Sequence, residues 1–318
     1  MKKLILISSA VAMLFSACQK NNITTDDSSS ALRRNCSSVE VLAEQLKADP
    51  TLEARMEAYE AVVQNNLKNN VNARLVNGVI EIPVVVNVLY RTAAENISLA
   101  QIQSQIDVLN EDFNATNADY TKVPTTFSAV KAKVGIRFVL DQVIRKSTTK
   151  TSWKTDDAMK KSTKGGINPT TPTTKLNLWV CTLSGGILGY AQFPGGASAT
   201  DGVVILNTGF GRTGTAAAPY NKGRTATHEV GHWLNLRHIW GDATCGSDLV
   251  NDTPLHNTAN YGCPAAGHKS TCSGTPIEMT MNYMDYTDDA CMYMFSAGQK
   301  ARILATFATG GPRATFAQ

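Results

Sequence analysis

Apolar residues between Val39 and Leu67 recur every three or four positions, which is the spacing of one face of a helix. Pro50 interrupts this series, and proline breaks a helix because it lacks the backbone N–H and clashes with the preceding turn. The pattern therefore predicts two helices. The polar, Asn-rich residues 64–72 are predicted to form an exposed linker that a protease could cut.

A different pattern begins at Val79, where the stretch IPVVVNVLY has the β-branched composition of a buried strand. Ser98 can cap a helix that runs through Phe113, because the apolar residues of this segment share one helical face. Further strands are predicted at residues 134–144, 174–182, 188–193 and 202–207. A strand, a helix and then further strands predict an α+β sheet domain.

The last third of the chain contains two more predicted helices with loops between them. The first helix starts near Thr225, and Ser296 can cap the second. The segment between them is rich in Gly, Pro and Asn and contains four cysteines, so we expect it to be mostly loops.

The N-terminus has the features of a secretory signal peptide over residues 1–17: two lysines, a short apolar stretch and small residues before Cys18. Small residues directly before a cysteine resemble a bacterial lipobox, in which case Cys18 would be the lipidated first residue. The alternative is ordinary cleavage beside an incidental cysteine. Polar residues 19–30 would then be a flexible tether. We expect an exported protein, either a lipoprotein of the outer membrane or cell surface, or one secreted after removal of its pro-segment.

Composition excludes some function classes. The chain has 318 residues, 43% of them hydrophobic, which is enough for a sizeable core. Its net charge of +4 is small and not clustered, so nucleic-acid binding has no support. No stretch after the signal peptide is apolar enough to cross a membrane, so contact with a membrane would depend on the N-terminal lipid alone. We expect a monomer.

The run HEVGHWLNLRH indicates a metal site. His228 and His232 are four residues apart, so on a helix they face the same side and can bind one zinc ion. Glu229 lies beside them and can take a proton from the attacking water. A catalytic zinc needs a third protein ligand and an open position, and His238 is the candidate.

For His238 to return to the metal, the helix must end and the chain must turn sharply. Such a turn usually contains a residue with positive φ, and Asn235 stands where the turn is expected. Asparagine is the most tolerant residue after glycine in that conformation. Alternatively, the histidines are unrelated residues of a buried helix or ligands of a structural zinc site, although structural sites prefer four ligands, usually cysteine-rich.

The motif is similar to the extended zinc motif of the metzincin metallopeptidases, and MNYMDY at residues 281–286 resembles their Met-turn. With GDATC, DLVNDTP and the cysteine spacing, the pattern is most similar to the pappalysin family over about residues 79–310. The resemblance implies that the three histidines bind Zn²⁺ and that Glu229 is the general base and acid. It further implies that Met284 is the Met-turn residue and that Tyr286 helps to stabilise the tetrahedral intermediate. Ordinary core packing is the alternative for Met284 and Tyr286.

The resemblance implies a zinc metalloendopeptidase that acts on polypeptides and is made as a zymogen. Its catalytic domain would span residues 79–318, after a tether and helical pro-segment at 18–78. Residues 79–238 would form an upper subdomain with a twisted mixed sheet and the active-site helix, and 239–318 a loop-rich, disulfide-braced lower subdomain. One alternative is a degenerate surface lipoprotein that binds peptides or proteins, which the intact Glu229 disfavours. Another is a cell-wall amidase, which the Met-turn disfavours.

Seven cysteines occur in the chain, and four of them lie in its last quarter. In an exported protein this clustering predicts two disulfides, for which the sequence allows three connectivities. The family resemblance implies the pairs Cys245–Cys272 and Cys263–Cys291.

Cys36 lies in the pre-domain sequence Arg34-Asn35-Cys36. A thiolate can occupy the open position of zinc, so we interpret Cys36 as a latency switch that is displaced when the segment before about Val79 is removed. The alternatives are a Cys36–Cys181 disulfide and an idle thiol.

The family often binds Ca²⁺ in the loop after the third histidine. Asp248, Asp252 and Thr253 offer oxygen ligands at close spacing there, and the alternative is an acidic solvated turn.

Substrate alignment and preference are also implied by the resemblance. GYAQF at residues 189–193 resembles the edge strand that aligns an extended peptide, although a simple internal strand is the alternative. Family members often favour a basic residue after the cleaved bond, bound by a pocket carboxylate. Asp288 and Asp289 lie in the right region. If the pocket carboxylate belongs at position 290, Ala290 removes the basis for this preference.

Overall fold

The computed structural model describes residues 33–69, 71 and 79–316. The signal peptide at 1–17, the lipidation of Cys18 and the tether at 19–30 lie outside the described residues. Across the described part of the chain, no helix combines the length and the hydropathy that crossing a bilayer requires.

Five α-helices lie in the described ranges. They are α1 (Ser38–Ala48), α2 (Leu52–Lys68), α3 (Leu99–Phe113), α4 (Arg224–Trp233) and α5 (Ala297–Phe307). Pro50 separates α1 from α2, as predicted. Ser98 caps α3 by accepting a hydrogen bond from Gln101 N, and Ser296 forms a capping box with Gln299 at the start of α5.

The predicted linker at residues 64–72 is wrong at its start, because α2 continues to Lys68. Asn66 is buried and its side-chain amide donates to the carbonyl of Ala305, in α5. Asparagine is a weak helix former, but packing of α2 against α5 outweighs that preference.

Strands in the described ranges form a five-stranded sheet and a two-stranded sheet. They are β1 (Ile80–Tyr90), β2 (Lys131–Ala132), β3 (Ile136–Ser147), β4 (Leu176–Cys181), β5 (Gly189–Ala191), β6 (Val203–Leu206) and β7 (Phe295–Ser296). The large sheet has the order β3-β1-β4-β6-β5, and β2 pairs with β7. Only β5 runs antiparallel to its neighbour in the large sheet, and it lies at the edge. The edge position expected for residues 189–193 is therefore confirmed.

The core of the molecule lies between this mixed sheet and the helices. All six residues of β4 are buried, as expected for a parallel strand covered on both faces. All ten residues of α4 are buried as well, and α4 packs against β5, β6 and α3. Loops without long regular elements follow α4 up to β7. The α+β prediction is confirmed.

Two disulfides brace these loops. Cys245 pairs with Cys272 and Cys263 with Cys291, with Cα atoms 5.7 and 5.5 Å apart. These are the pairs that the family resemblance implies. Each bond closes a long loop, which lowers the conformational entropy of the unfolded chain.

Candidate active site and metal centre

The helix α4 carries the first part of the metal-binding motif, and Met284 packs directly beneath it. A Cβ atom at Gly231 would lie 2.5 Å from the Met284 sulfur. The glycine in HEVGHW therefore allows the loop containing Met284 to approach the helix. This contact places the loop at 281–286 under the two histidines of α4.

The side chains of His228, His232 and His238 converge in the interior of the protein. The Nε2 atom of His232 lies 3.2 Å from that of His228 and 3.0 Å from that of His238. All three side chains are buried. Together with the Cys36 sulfur, their ligand atoms lie within 4.8 Å of one another.

Each of these histidines has a hydrogen-bond acceptor at its Nδ1 atom. The acceptors are the carbonyl oxygens of Tyr283 and Leu236, at 2.7 and 2.8 Å from His228 and His232, and the Asp242 carboxylate, 2.5 Å from His238. A carbonyl oxygen only accepts, so the Nδ1 atoms of His228 and His232 carry the hydrogen and their Nε2 lone pairs face the centre. Burial, and then the neighbouring histidines, lower the pKa of His228 and His232 well below the ordinary value. Neutral imidazoles oriented in this way fit a zinc ion.

The turn that returns His238 to this centre is built around Asn235. Its φ is 69°, in the left-handed region, as the sequence predicts. The N–H of Leu236 donates to the carbonyl of Gly231 at 2.9 Å, which ends the helix. The positive φ expected at Asn235 is confirmed.

Glu229 lies between the metal centre and the edge strand β5. It is buried, and a Cβ atom at Gly189 would lie 3.0 Å from its Cγ. Burial raises the pKa of Glu229 to about 7, against the lowering effect of hydrogen bonds from Cys36 and Ser38. A carboxyl group with a pKa near neutrality can both accept and return a proton.

The segment before α1 covers this carboxylate. The Cys36 thiol donates to Glu229 Oε2 at 3.2 Å, and the Ser38 hydroxyl donates to the same oxygen at 2.9 Å. Burial, and then the charge of Glu229, raise the pKa of Cys36. Cys36 and Cys181 are both free and buried, so the alternative of a disulfide between them is wrong.

The same segment occupies the edge of β5. The N–H of Ser37 donates to Gly189 O at 3.1 Å, and the N–H of Ala191 donates to the Ser38 hydroxyl at 2.8 Å. The bridge between Cys36 and Gly189 is parallel. Backbone groups of the edge strand that could bind an extended peptide are therefore already paired.

Arg34 fills a pocket whose buried carboxylate belongs to Asp289. Its Nη2 lies 2.6 Å from Asp289 Oδ1, and both side chains are at most 1% exposed. The guanidinium also donates to Thr287 O at 3.2 Å and lies 4.9 Å from the centroid of the Tyr220 ring. A pocket carboxylate is therefore present one position before the exposed Ala290.

The Asp289 carboxylate is itself held firmly. Its Oδ2 accepts from the backbone N–H groups of Lys222 and Arg224, at 2.8 and 3.2 Å. The Arg224 guanidinium donates to Asp289 O at 2.7 Å and to both carboxylate oxygens of Asp119. These contacts hold the Asp289 carboxylate in place.

Tyr286 lies beside the metal centre, and its hydroxyl donates to Cys36 O at 3.1 Å. Its ring centroid is 4.9 Å from that of His238 and 4.8 Å from that of Trp240, which stacks on His238 at 4.3 Å. Burial raises the pKa of Tyr286, so the phenol stays protonated and remains a donor.

The three residues considered for calcium make other contacts. Asp248 accepts from the Thr253 hydroxyl at 2.9 Å, and burial raises the pKa of Asp248 to about 6. Asp252 accepts from the Ser296 hydroxyl and from Gly298 N, at the start of α5. Asp248 is buried, whereas Asp252 and Thr253 are partly exposed.

Several residues of the site were missed by sequence reasoning. Ser38 and Arg34 flank Cys36 in RRNCSS, and this charged and polar surrounding was the available signal. Asp242 lies four residues after His238 in GDATC, a stretch that contributes to the family resemblance but does not by itself indicate a partner for His238. The acceptor carbonyls of Tyr283 and Leu236 carry no sequence signal, because every residue has a carbonyl.

Comparison with known proteins agrees with this geometry. The family model described as Pregnancy-associated plasma protein-A matches residues 174–308. An extracellular metalloprotease of Verticillium alfalfae is 34% identical over 240 residues, covering 70% of this chain and 77% of the relative. One from Pyricularia oryzae is 37% identical over 226 residues, covering 68% of this chain and 70% of the relative.

Two solved structures from Tannerella forsythia are also similar. Mature mirolysin in complex with a cleaved peptide is 45% identical, with a TM-score of 0.73, and the match covers 75% of this chain and 96% of mirolysin. A promirolysin mutant is 42% identical, with a TM-score of 0.80, and the match covers 89% of this chain and 97% of promirolysin. The extent and level of these identities show that the chain belongs to the pappalysin family of metzincin metalloproteases, and that it is a zinc metalloendopeptidase made as a zymogen.

Proposed function

We propose that His228, His232 and His238 hold the catalytic zinc and that Glu229 is the general base and acid for hydrolysis of peptide bonds in extracellular polypeptides. The observation that carries this proposal is the convergence of three buried Nε2 atoms beside a buried carboxylate at a sheet edge. The alternative of a degenerate peptide-binding lipoprotein has no such support, because the three histidines and Glu229 all lie at the site.

The chain's own residues then perform the proton transfers. When bound, zinc supplies a Lewis acid that polarises the scissile carbonyl and lowers the pKa of water. Glu229 takes the proton of the attacking water and returns it to the leaving amine. The Tyr286 hydroxyl, which already donates to a backbone carbonyl, donates to the oxygen on which negative charge develops.

The edge strand β5 would align the substrate. Gly189 O and Ala191 N pair with the pre-domain segment in the structure, and an extended substrate would take the same groups once that segment is gone. Such backbone hydrogen bonds do not depend on the sequence of the substrate.

For side-chain preference, we propose a basic residue directly after the cleaved bond. Arg34 shows the fit, because its guanidinium pairs with Asp289 at 2.6 Å and contacts the Tyr220 ring. A charge-assisted hydrogen bond in a dry pocket favours arginine strongly over neutral side chains.

Latency follows from the same segment. We propose that the Cys36 thiol would lose its proton when zinc is bound and that the resulting thiolate would occupy the open metal position. Ser38 would then engage Glu229 and Arg34 would fill the substrate pocket. The tether and pro-segment would span residues 18–78 and the catalytic domain 79–318, with its subdomains meeting after His238. Removal of the segment before about Val79 would expose the site.

We also propose that the protein is exported. The relatives named extracellular metalloproteases support export of this chain. Lipidation of Cys18, the monomeric state and Ca²⁺ at Asp248, Asp252 and Thr253 stay predictions.

Catalysis is tested by comparing the processed wild-type enzyme with Glu229→Ala on casein and on a peptide library. Loss of the general base should reduce kcat/KM by about 10²- to 10⁴-fold while zinc content is retained. A zinc chelator should abolish the wild-type activity. Equal cleavage by the wild type and Glu229→Ala would refute the assignment.

Latency is tested with the uncleaved chain. Cys36→Ala should hydrolyse a small peptide substrate before processing, because the thiolate no longer occupies the open metal position. Cys181→Ala is the matched control, since this second buried free thiol lies in β4. If uncleaved Cys36→Ala hydrolyses the peptide no faster than uncleaved Cys181→Ala, Cys36 is not the latency switch.

A further inference from the structure

A second contact between the pro-segment and the catalytic domain involves Glu60, in α2. Its Oε1 accepts from Arg302 Nη1 at 2.8 Å and from Gln64 at 2.7 Å. Its Oε2 accepts from Arg302 Nη2 at 2.6 Å and from the Asn235 side-chain amide at 3.3 Å. Four donors thus surround one carboxylate.

The receiving groups belong to the catalytic domain. Arg302, in α5, has a side chain only 1% exposed, and its Nε donates to Asn235 O at 2.8 Å. Asn235 is the positive-φ residue between His232 and His238. We call Arg302 and Asn235 the carboxylate cradle. Asn235 therefore contributes a side-chain donor that glycine at this position would lack.

The charges in the cradle favour an anion. Burial raises the pKa of Glu60, but the hydrogen bonds and charge of Arg302, with Gln64 and Asn235, outweigh it and lower the pKa to about 2. Glu60 is therefore ionised at neutral pH. A buried guanidinium is costly without an anionic partner, and a bidentate carboxylate is the partner that its geometry fits.

We propose that Arg302 and Asn235 form a carboxylate-binding site, separate from the metal centre, that holds α2 of the pro-segment on the enzyme after the chain is cut between α2 and β1. Val63 and Asn66 add buried contacts on the same helix. Cutting the chain is then insufficient for activation, and Glu60 must also leave the cradle. The inference rests on the latency proposed above.

The test uses the full chain with a cleavage site for a sequence-specific protease inserted between α2 and β1. After cleavage, release of the pro-segment is followed by size-exclusion chromatography, and the appearance of peptide hydrolysis is followed in parallel. Glu60→Gln should release the pro-segment at least about tenfold faster than the wild type, since hydrogen bonds to charged groups are the strong ones. Glu57→Gln is the matched control, because Glu57 is exposed on the same helix.

A second variant addresses the cradle itself. Asn235→Gly keeps the positive φ but removes the amide donor, and should accelerate release by a smaller factor than Glu60→Gln. Release of Glu60→Gln at the wild-type rate, or equal acceleration by Glu57→Gln, would overturn the proposal. Failure of the proposed function is distinguishable, because an inactive enzyme after complete release leaves the chromatographic readout intact.

Discussion

The active-site helix and the pro-segment that lies across it are held by different kinds of contact. All ten residues of α4 are buried, and its histidines pair through Nδ1 with groups of the catalytic domain. The pro-segment is held by polar contacts, which join Arg34 to Asp289, Ser38 to Glu229 and Glu60 to Arg302. It also buries apolar side chains, among them those of Val41, Leu52 and Val63. The histidines of α4 thus take their orienting hydrogen bonds from residues outside the pro-segment, whereas the pro-segment leaves only when both its polar contacts and its buried apolar contacts are broken.

The largest effect is expected from a change inside the metal-binding turn. Asn235→Val places a β-branched residue at a φ of 69°, which costs about 1–3 kcal/mol. If that strain displaces His238, zinc affinity should fall by about 10- to 100-fold. Zinc content and activity of the processed enzyme measure this loss.

Asn235→Gly is the control for that change, since glycine adopts the same φ without strain. It should retain zinc and activity in the processed enzyme. Full zinc content and activity in Asn235→Val would show that the turn does not position His238 in the way described.

An intermediate effect is expected in the pocket that Arg34 occupies. Asp289→Asn removes the charge that pairs with a guanidinium, so kcat/KM for substrates with arginine after the cleaved bond should fall by about tenfold. Substrates with a neutral residue there should be affected less. Asp288→Asn is the control, because Asp288 does not contact Arg34 through a hydrogen bond in the described contacts. A uniform loss over all substrates would contradict a role in preference.

The smallest effect is the pH dependence of the Glu60 contact. The pKa of Glu60 falls from an ordinary 4.5 to about 2 in the folded zymogen, so the contact stabilises it fully above about pH 4.5. Its contribution is lost as the pH drops from about 4.5 towards 2. The release rate of Glu60→Gln divided by that of the wild type should therefore be constant from about pH 7 to 5. This ratio should decrease at about pH 4 and below, because protonation of Glu60 weakens the contact in the wild type. A ratio that already declines near pH 6 would point to another titrating group.

Local patterns predicted much of the fold. The break at Pro50, the caps at Ser98 and Ser296 and the strand from Ile80 follow from short-range chemistry, and the structure contains each of them. The pairing of the four clustered cysteines was not derivable from spacing and came from family resemblance, with which the structure agrees. Asn66 was misassigned because its burial depends on α5, more than 200 positions away in the chain.

The motif HEVGHWLNLRH is sufficient to indicate a metal site, because helical periodicity places His228 and His232 on one face and Asn235 permits the turn to His238. The partners of those residues depend on tertiary structure. Asp289 beside Arg34, Ser38 beside Glu229 and Arg302 beside Glu60 are each separated by 191 to 255 positions along the chain. Short-range propensities carry no information about such pairs, which form only when the sheet, α4 and α5 pack together.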